Sequence, residues 1–358
     1  MPGNVPGMAA TTASIVELYE DAEACAAAAG LVYASWEEPG IRRQRRGRGF
    51  CYLDANGVLV TDAAVKERIA ALAIPPAWTE VWISPREDAH LLAVGEDDRG
   101  RRQYLYHERW RAIRDELNFH RLVLVGESLP AVREFVEAQL RRRTLDRDRV
   151  LAAMIRIVDR SAVRIGNVVY AEENESFGLT TLAKRHVKVD GDTIRMTFPA
   201  KSNKQADLTV VDRPAARVVA ELLRQRGRRL FTVDRAPIEG SEVNARLGEL
   251  SAAHVTAKDF RTWNGTLAAY RYLEEHLDSP DDREKVVLAA VDAAAEVLGD
   301  TRAVARAHYV HPQVLDAFVD GTFAAWSKPA GREPYLDSSE RRLLALLRSA
   351  LAHDDMLG

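Results

Sequence analysis

The sequence predicts an α+β protein: a small N-terminal mixed domain with an antiparallel sheet, then a larger, mainly α-helical C-terminal domain. Two observations carry this. Residues 49–95 hold short apolar runs separated by turn residues, and from 129 onward apolar residues recur mostly at i, i+3, i+4. A brief interlude between 186 and 211 returns to strand-like alternation inside the helical part. The boundaries read as a tail and helix over 1–35, an N-terminal domain over 36–122 and a C-terminal domain over 123–358.

In order along the chain, residues 1–12 are small, Gly- and Pro-containing and read as disordered, and 13–35 read as an Ala-rich helix. Phe50–Leu53 and Val58–Val60 flank Asn56-Gly57, a hairpin signal. Val81–Ile83, Leu91–Val94 and Tyr104–Tyr106 are further strands. After the Arg121–Ser128 stretch, helices are expected over 129–145 and 147–160. Asp190-Gly191 turns a hairpin between His186–Val189 and Thr193–Phe198, with Leu208–Val211 as a third strand. Helices follow over 214–227, 241–252, 258–275, 281–298, 301–307, 312–319 and 338–352. There is no internal repeat.

The chain has 358 residues, 47% of them hydrophobic, enough for two cores. Cys25 and Cys51 give neither a disulfide framework nor a zinc spacing, which predicts a reduced, cytoplasmic setting. No run reaches the roughly 20 apolar residues of a membrane span, and residues 8–34 carry too many acids for a secretory signal. No Gly-x-x-x-x-Gly-Lys loop or His-Glu-x-x-His pair occurs, so neither a nucleotide cofactor nor a metal is expected. The net charge of −3 argues weakly against nucleic acid, but arginines cluster at 42–48, at 99–102 and at 141–149, so a basic face is expected on a polarised molecule.

Four segments hold the candidate chemistry. Arg164, flanked by Val163, Ile165 and Gly166 at a helix end, suits a rigid grip on phosphate oxygens. Lys201 sits at a hairpin tip, from which a lysine can reach into a site. Lys258 and Arg261 share a face at a helix start. Tyr309 lies between short helices, with His308 and His311 beside it and Pro312 beyond. Taken singly, each is more often a surface charge or a packed ring.

In this order and spacing, Arg164, Lys201, Arg261 and Tyr309 resemble the catalytic set of type IB DNA topoisomerases, above all their poxvirus-like and bacterial branch. The likeness spans roughly residues 40–325. It includes Ile74-Pro75-Pro76-Ala77-Trp78, Gly100–Tyr106, Arg164–Tyr170 and Lys258–Thr262. The resemblance implies two domains closing as a clamp on double-stranded DNA, working as a monomer near the nucleoid. Tyr309 would form a 3′-phosphotyrosyl bond, Arg164 and Arg261 would hold the non-bridging oxygens, and Lys201 would protonate the leaving 5′-oxygen. Lys258 resembles a second lysine near that oxygen. Arg102, Gln103, Tyr104, Tyr106, Arg114 and Tyr170 would contact DNA. Lysines of the viral relatives are replaced here by Asn167 and Val169, which separates this chain from their site preference.

One position departs from the family. Nine residues before the tyrosine the family carries His or Asn; this chain has Asp300. A carboxylate cannot donate to phosphate, so Asp300 is expected to keep its proton or to pair with an arginine such as Arg302. A slower enzyme, or help from His308 or His311, are the other readings. The favoured expectation is a working enzyme with unusual pH dependence. Two other functions remain open. A tyrosine recombinase shares the four residues but usually has His-x-x-Arg where Lys258 precedes Arg261. A non-catalytic DNA-binding protein would fit the acidic balance and Asp300.

Overall fold

Alternation of side chains across a pleated strand sets up the first of two compact units, residues 1–118 and 119–357. A computed structural model describes residues 17–166, 176–201, 204–251, 254–279, 282–326 and 331–354. The first unit contains helix α1 (Ala22–Ala28), strands β1 (Ile41–Arg46) and β2 (Gly49–Leu53), helix α2 (Ala63–Ala71), and strands β3 (Thr79–Ile83), β4 (Leu91–Glu96) and β5 (Arg102–Tyr106). The strands form one antiparallel sheet in the order β2-β1-β3-β4-β5. Val81 and Ile83 point to one face, where they pack with Ile41, Ile69 of α2 and Ala93. Trp82 points to the other, with Ala34, Ala89, Leu91 and Val94. The sheet is therefore covered on both sides, and the segment after α1 is stitched to it by a bridge between Val32 and Ala89.

Two expectations change in this unit. Residues 58–60 form no continuous strand, although the Asn56-Gly57 turn does bring them back antiparallel to β2: Val60 N donates to Tyr52 O and Asp54 N to Val58 O, each at 2.9 Å, and Leu53 and Leu59 bridge. The longer pairing of β2 is with β1, whose sequence, Ile-Arg-Arg-Gln-Arg-Arg, carries charge rather than apolar alternation. The turn between them places Gly47 at φ +59°, a left-handed value that glycine adopts without strain. Among the described residues, the helix expected over 13–35 is seen as helical residues 17–20 and, after Asp21, the helix Ala22–Ala28 that Asp21 caps.

Helix α3 (Glu108–Leu140) begins well before the helix expected over 129–145, runs through the stretch at 121–128, and carries Pro130 within it. Proline there removes one helical N–H donor, a local cost that buried Leu122, Val125, Leu129 and Val132 outweigh. Then come α4 (Arg147–Ser161), the sheet β6 (Val187–Asp190), β7 (Thr193–Pro199) and β8 (Gln205–Val211), α5 (Arg213–Arg224), the two-residue strands β9 (Thr232–Val233) and β10 (Ala236–Pro237), and α6 (Gly240–Glu249). The chain closes with α7 (Ala257–Glu275), α8 (Arg283–Leu298), α9 (Arg302–His308), α10 (Pro312–Val319), α11 (Phe323–Trp326) and α12 (Ser338–Asp354). Helix α7 is the spine of this unit: Phe260, Trp263, Ala269, Tyr270 and Leu273 are fully buried, and it packs along α8.

Candidate active site

The site forms where four turns of chain meet around α7. Helix α4 stops at Ala162, which takes a left-handed conformation at φ +51°, unusual for a residue with a Cβ. This redirects the chain so that Arg164 and Ile165 run beside Leu179 and Thr180, whose amides donate to their carbonyls at 2.9 and 2.8 Å. Gly166, at φ +90°, allows the close approach: a Cβ on Gly178 would lie 2.4 Å from the Gly166 Cα. Arg164 is thus fixed at the backbone while its side chain keeps about a third of its exposure (34%).

Arg261 comes from the first turns of α7 and lies almost wholly buried, at 4% exposure. Its Nη1 donates to the Ala162 carbonyl. Its Nη2 donates to the Leu298 carbonyl at 3.0 Å, so the guanidinium caps the last turn of α8, where unsatisfied carbonyls favour a cation. Helix α8 ends with Gly299 left-handed at φ +64° and Asp300 N donating back to Ala295 O at 3.0 Å, a Schellman closure that fixes Asp300. The Asp300 carboxylate accepts from Arg164 Nη2 at 2.7 Å through one oxygen and from Arg261 Nη2 at 2.7 Å through the other. Burial pushes the Arg261 pKa below its ordinary value and the Arg164 charge adds to this, while Tyr309 and Asp300 oppose both. The Arg261 Nε is buried without a hydrogen-bond partner among the described residues.

The partner expected for Asp300 is therefore corrected. Arg302 instead pairs with Asp292 on the solvent side, because it opens α9 facing outward. Neither histidine stands in for a donor at Asp300. His308 is exposed at the end of α9. His311 is buried and caps α10, its Nδ1 accepting from Gln313 N at 3.3 Å. Burial, with a smaller contribution from His120, holds its pKa down at about 3, so the ring is neutral.

Tyr309 caps the C-terminus of α9, and its ring centre lies 5.0 Å from the Arg261 guanidinium carbon. Gly265 of α7 makes this possible, since a Cβ there would sit 2.9 Å from the Tyr309 carbonyl oxygen. Thr266, which sequence reasoning missed, donates to that carbonyl at 3.0 Å and accepts from His311 N at 3.1 Å. Its only sequence signal is its place five residues beyond Arg261 on the same helix.

A cavity of about 570 Å³ opens beside these groups. It is lined by Arg164, Lys201, Lys204, Arg261, Asp300 and Arg302 among others. Lys201 follows β7 at the tip of the β7–β8 hairpin, as expected, and is exposed. Lys204, not singled out beforehand, joins it. Lys258 is not brought in: it is exposed in the first turn of α7 and lines no part of the cavity, whereas Arg261 three residues on is buried.

The candidate DNA contacts are described within the first unit, except Tyr170, which lies outside the described residues together with Asn167 and Val169. Arg102 and Tyr104 are exposed on β5; the Arg102 guanidinium lies 4.0 Å from the Trp36 ring centre. Tyr106 is half-buried and stacks on Tyr104 at 6.0 Å. Gln103 Nε2 is held by Asp97 at 2.9 Å. Arg114 donates to the Tyr19 carbonyl at 2.9 Å and covers that ring, which makes it a brace for the segment before α1. Among the described residues, no group of three or more His, Cys, Asp or Glu is placed to hold a metal, and no helix is long and apolar enough to cross a membrane.

The family described as eukaryotic DNA topoisomerase I, catalytic core, matches residues 107–323, more than half of the chain. The bacterial DNA topoisomerase IB N-terminal domain matches residues 49–97. DNA topoisomerase 1B of Acanthamoeba polyphaga mimivirus is 29% identical over 295 residues, 78% of this chain and 87% of the relative. DNA topoisomerase 1B of Vaccinia virus (strain Copenhagen) is 25% identical over 275 residues, 73% of this chain and 84% of the relative. With its catalytic-core match spanning the helices that carry Arg261 and Tyr309, this chain belongs to the type IB DNA topoisomerase family.

Proposed function

We propose that the protein relaxes supercoiled double-stranded DNA by transient cleavage of one strand through a 3′-phosphotyrosyl bond at Tyr309, acting as a monomer without a nucleotide cofactor. The observation that carries the reading is the pairing of two guanidinium groups, Arg164 and Arg261, through one anion, with the Tyr309 ring beside Arg261 and Lys201 on the same cavity. Such a site is built for a phosphodiester: fixed donors act on the oxygens where negative charge grows.

In this mechanism the Tyr309 oxygen bonds to phosphorus as the bond to the 5′-oxygen breaks. The phenol proton passes to water and Lys201 protonates the departing oxygen, which as an alkoxide is a poor leaving group. Lys204 lines the same cavity and shares its positive field. The ester formed keeps the bond energy, so the 5′-hydroxyl restores the strand without ATP. Lys258 enters this scheme only if its exposed side chain meets the DNA itself.

A tyrosine recombinase would use the same four side chains, but the match of residues 49–97 to a topoisomerase IB N-terminal domain favours relaxation. The test is a supercoiled plasmid incubated without ATP and with excess chelator. A ladder of relaxed topoisomers from single plasmids supports the reading. Joined or exchanged plasmids support recombination, and unchanged supercoils with retained binding support a non-catalytic DNA-binding role.

A further inference from the structure

The seat between the two arginines is already filled by the chain's own carboxylate. Asp300 offers one oxygen to Arg164 and the other to Arg261, each at 2.7 Å. The two non-bridging oxygens of a phosphodiester present the same acceptors at a similar separation, and guanidinium groups bind both kinds of anion with the same donors. Both hydrogens of Arg261 Nη2 are taken, one by Leu298 O and one by Asp300. A phosphate oxygen therefore gains this donor only when Asp300 gives it up.

We infer that Asp300 is an internal stand-in for the scissile phosphate: it holds Arg164 and Arg261 assembled in the free enzyme and is displaced from them by DNA. This rests on the reading of those two arginines as the phosphate grip. Three features of the chain fit a displaceable plug. Asp300 stands at the junction of two helices with its backbone held by the Gly299 closure, so a swing of its side chain alone releases the arginines. Its side chain keeps 12% exposure and lines the open cavity. Without an anion between them the two guanidinium groups would repel, as the lowering of the Arg261 pKa by Arg164 already indicates. Asp300 is thus a positioning residue whose contacts must be exchanged, one carboxylate for one phosphodiester, before chemistry. Small anions are kept out by the same contact, while DNA, bound through many phosphates at once, can drive the exchange.

The test uses the full chain with two readouts. In the first, thermal melting is followed with inorganic phosphate against sodium chloride of equal ionic strength. Asp300→Ala and Asp300→Asn are expected to melt lower than the parent and to be raised by millimolar phosphate. The parent is expected not to respond, and adding Arg164→Ala is expected to remove the response. In the second, binding of a labelled duplex is measured in a Tyr309→Phe background, where no covalent bond forms. The Asp300 variants are expected to bind about tenfold more tightly than Asp300 itself. No phosphate response in either variant, with duplex affinity equal to or weaker than the parent's, would overturn the inference. A parent chain that fails to relax plasmid while its Asp300 variants still show the phosphate response would sink the relaxation reading and leave the plug standing.

Discussion

Thr266 donates its buried hydroxyl to the carbonyl of Tyr309, and the same oxygen receives the His311 amide. One side chain of α7 therefore pins both ends of the turn that presents the tyrosine. Thr266→Val keeps the shape and removes both bonds, leaving a buried carbonyl and amide unsatisfied at a cost of roughly 1–3 kcal/mol. The expected outcome is a lower melting temperature and slower covalent-complex formation, with duplex affinity close to the parent's. Unchanged cleavage would show that the turn holds itself.

Lys201→Ala is expected to slow cleavage by about 10² to 10⁴, the usual range for losing a general acid. The deficit should shrink when the 5′-oxygen is replaced by a leaving group of low pKa, such as a nitrophenolate, because such a group departs without a proton. Single-turnover rates on the two substrates give the comparison. Equal deficits on both would assign Lys201 to binding instead.

His311 predicts an acid sensitivity of the fold. Its pKa is held at about 3 by burial, against 6.5 for an ordinary histidine. The unfolded chain takes up the proton first as pH falls. The contribution is therefore whole above pH 6.5, declines between 6.5 and 3, and loses nothing more below. One proton corresponds to a slope of about 1.4 kcal/mol per pH unit. His311→Asn keeps a helix cap that cannot titrate. Denaturant melts of both proteins between pH 7 and 4 should diverge, with the variant falling less; parallel curves would exclude the assignment.

Arg133 joins three elements of the second unit, α3, α4 and α12, by binding Asp159 and Glu340, each through two hydrogen bonds. Burial works against its charge, yet the two carboxylates win and raise its pKa. Arg133→Ala leaves two buried carboxylates without their cation, and a loss of about 3–5 kcal/mol is expected, read as a fall in the denaturation midpoint. A change under about 1 kcal/mol would mean that water reaches the carboxylates and replaces the arginine.

Much of this molecule was legible in the residues because its signals are local. The helices beginning at Ala257, Arg283, Arg302 and Pro312 lie within two residues of their expected starts, since caps and apolar periodicity sit in a few adjacent residues. Lys201 at a hairpin tip and Tyr309 after a short helix were legible for the same reason. The misses were long-range. Strand β1 hides its role behind four arginines, and only pairing with β2 and β3 reveals it. The contact of Arg114 with Tyr19, distant in sequence, has no local signal. The partners of Asp300 lie 136 and 39 residues away, whereas Arg302, the near candidate, turns outward with its helix.

The most direct measurement is to stop the protein with denaturant while it acts on end-labelled plasmid, digest it, and sequence the peptide left on the DNA. The account predicts a single peptide joined through Tyr309 to a 3′-phosphate, and no DNA-linked peptide from Tyr309→Phe. A linkage at another residue, a 5′-phosphate attachment, or relaxation that survives Tyr309→Phe would contradict it.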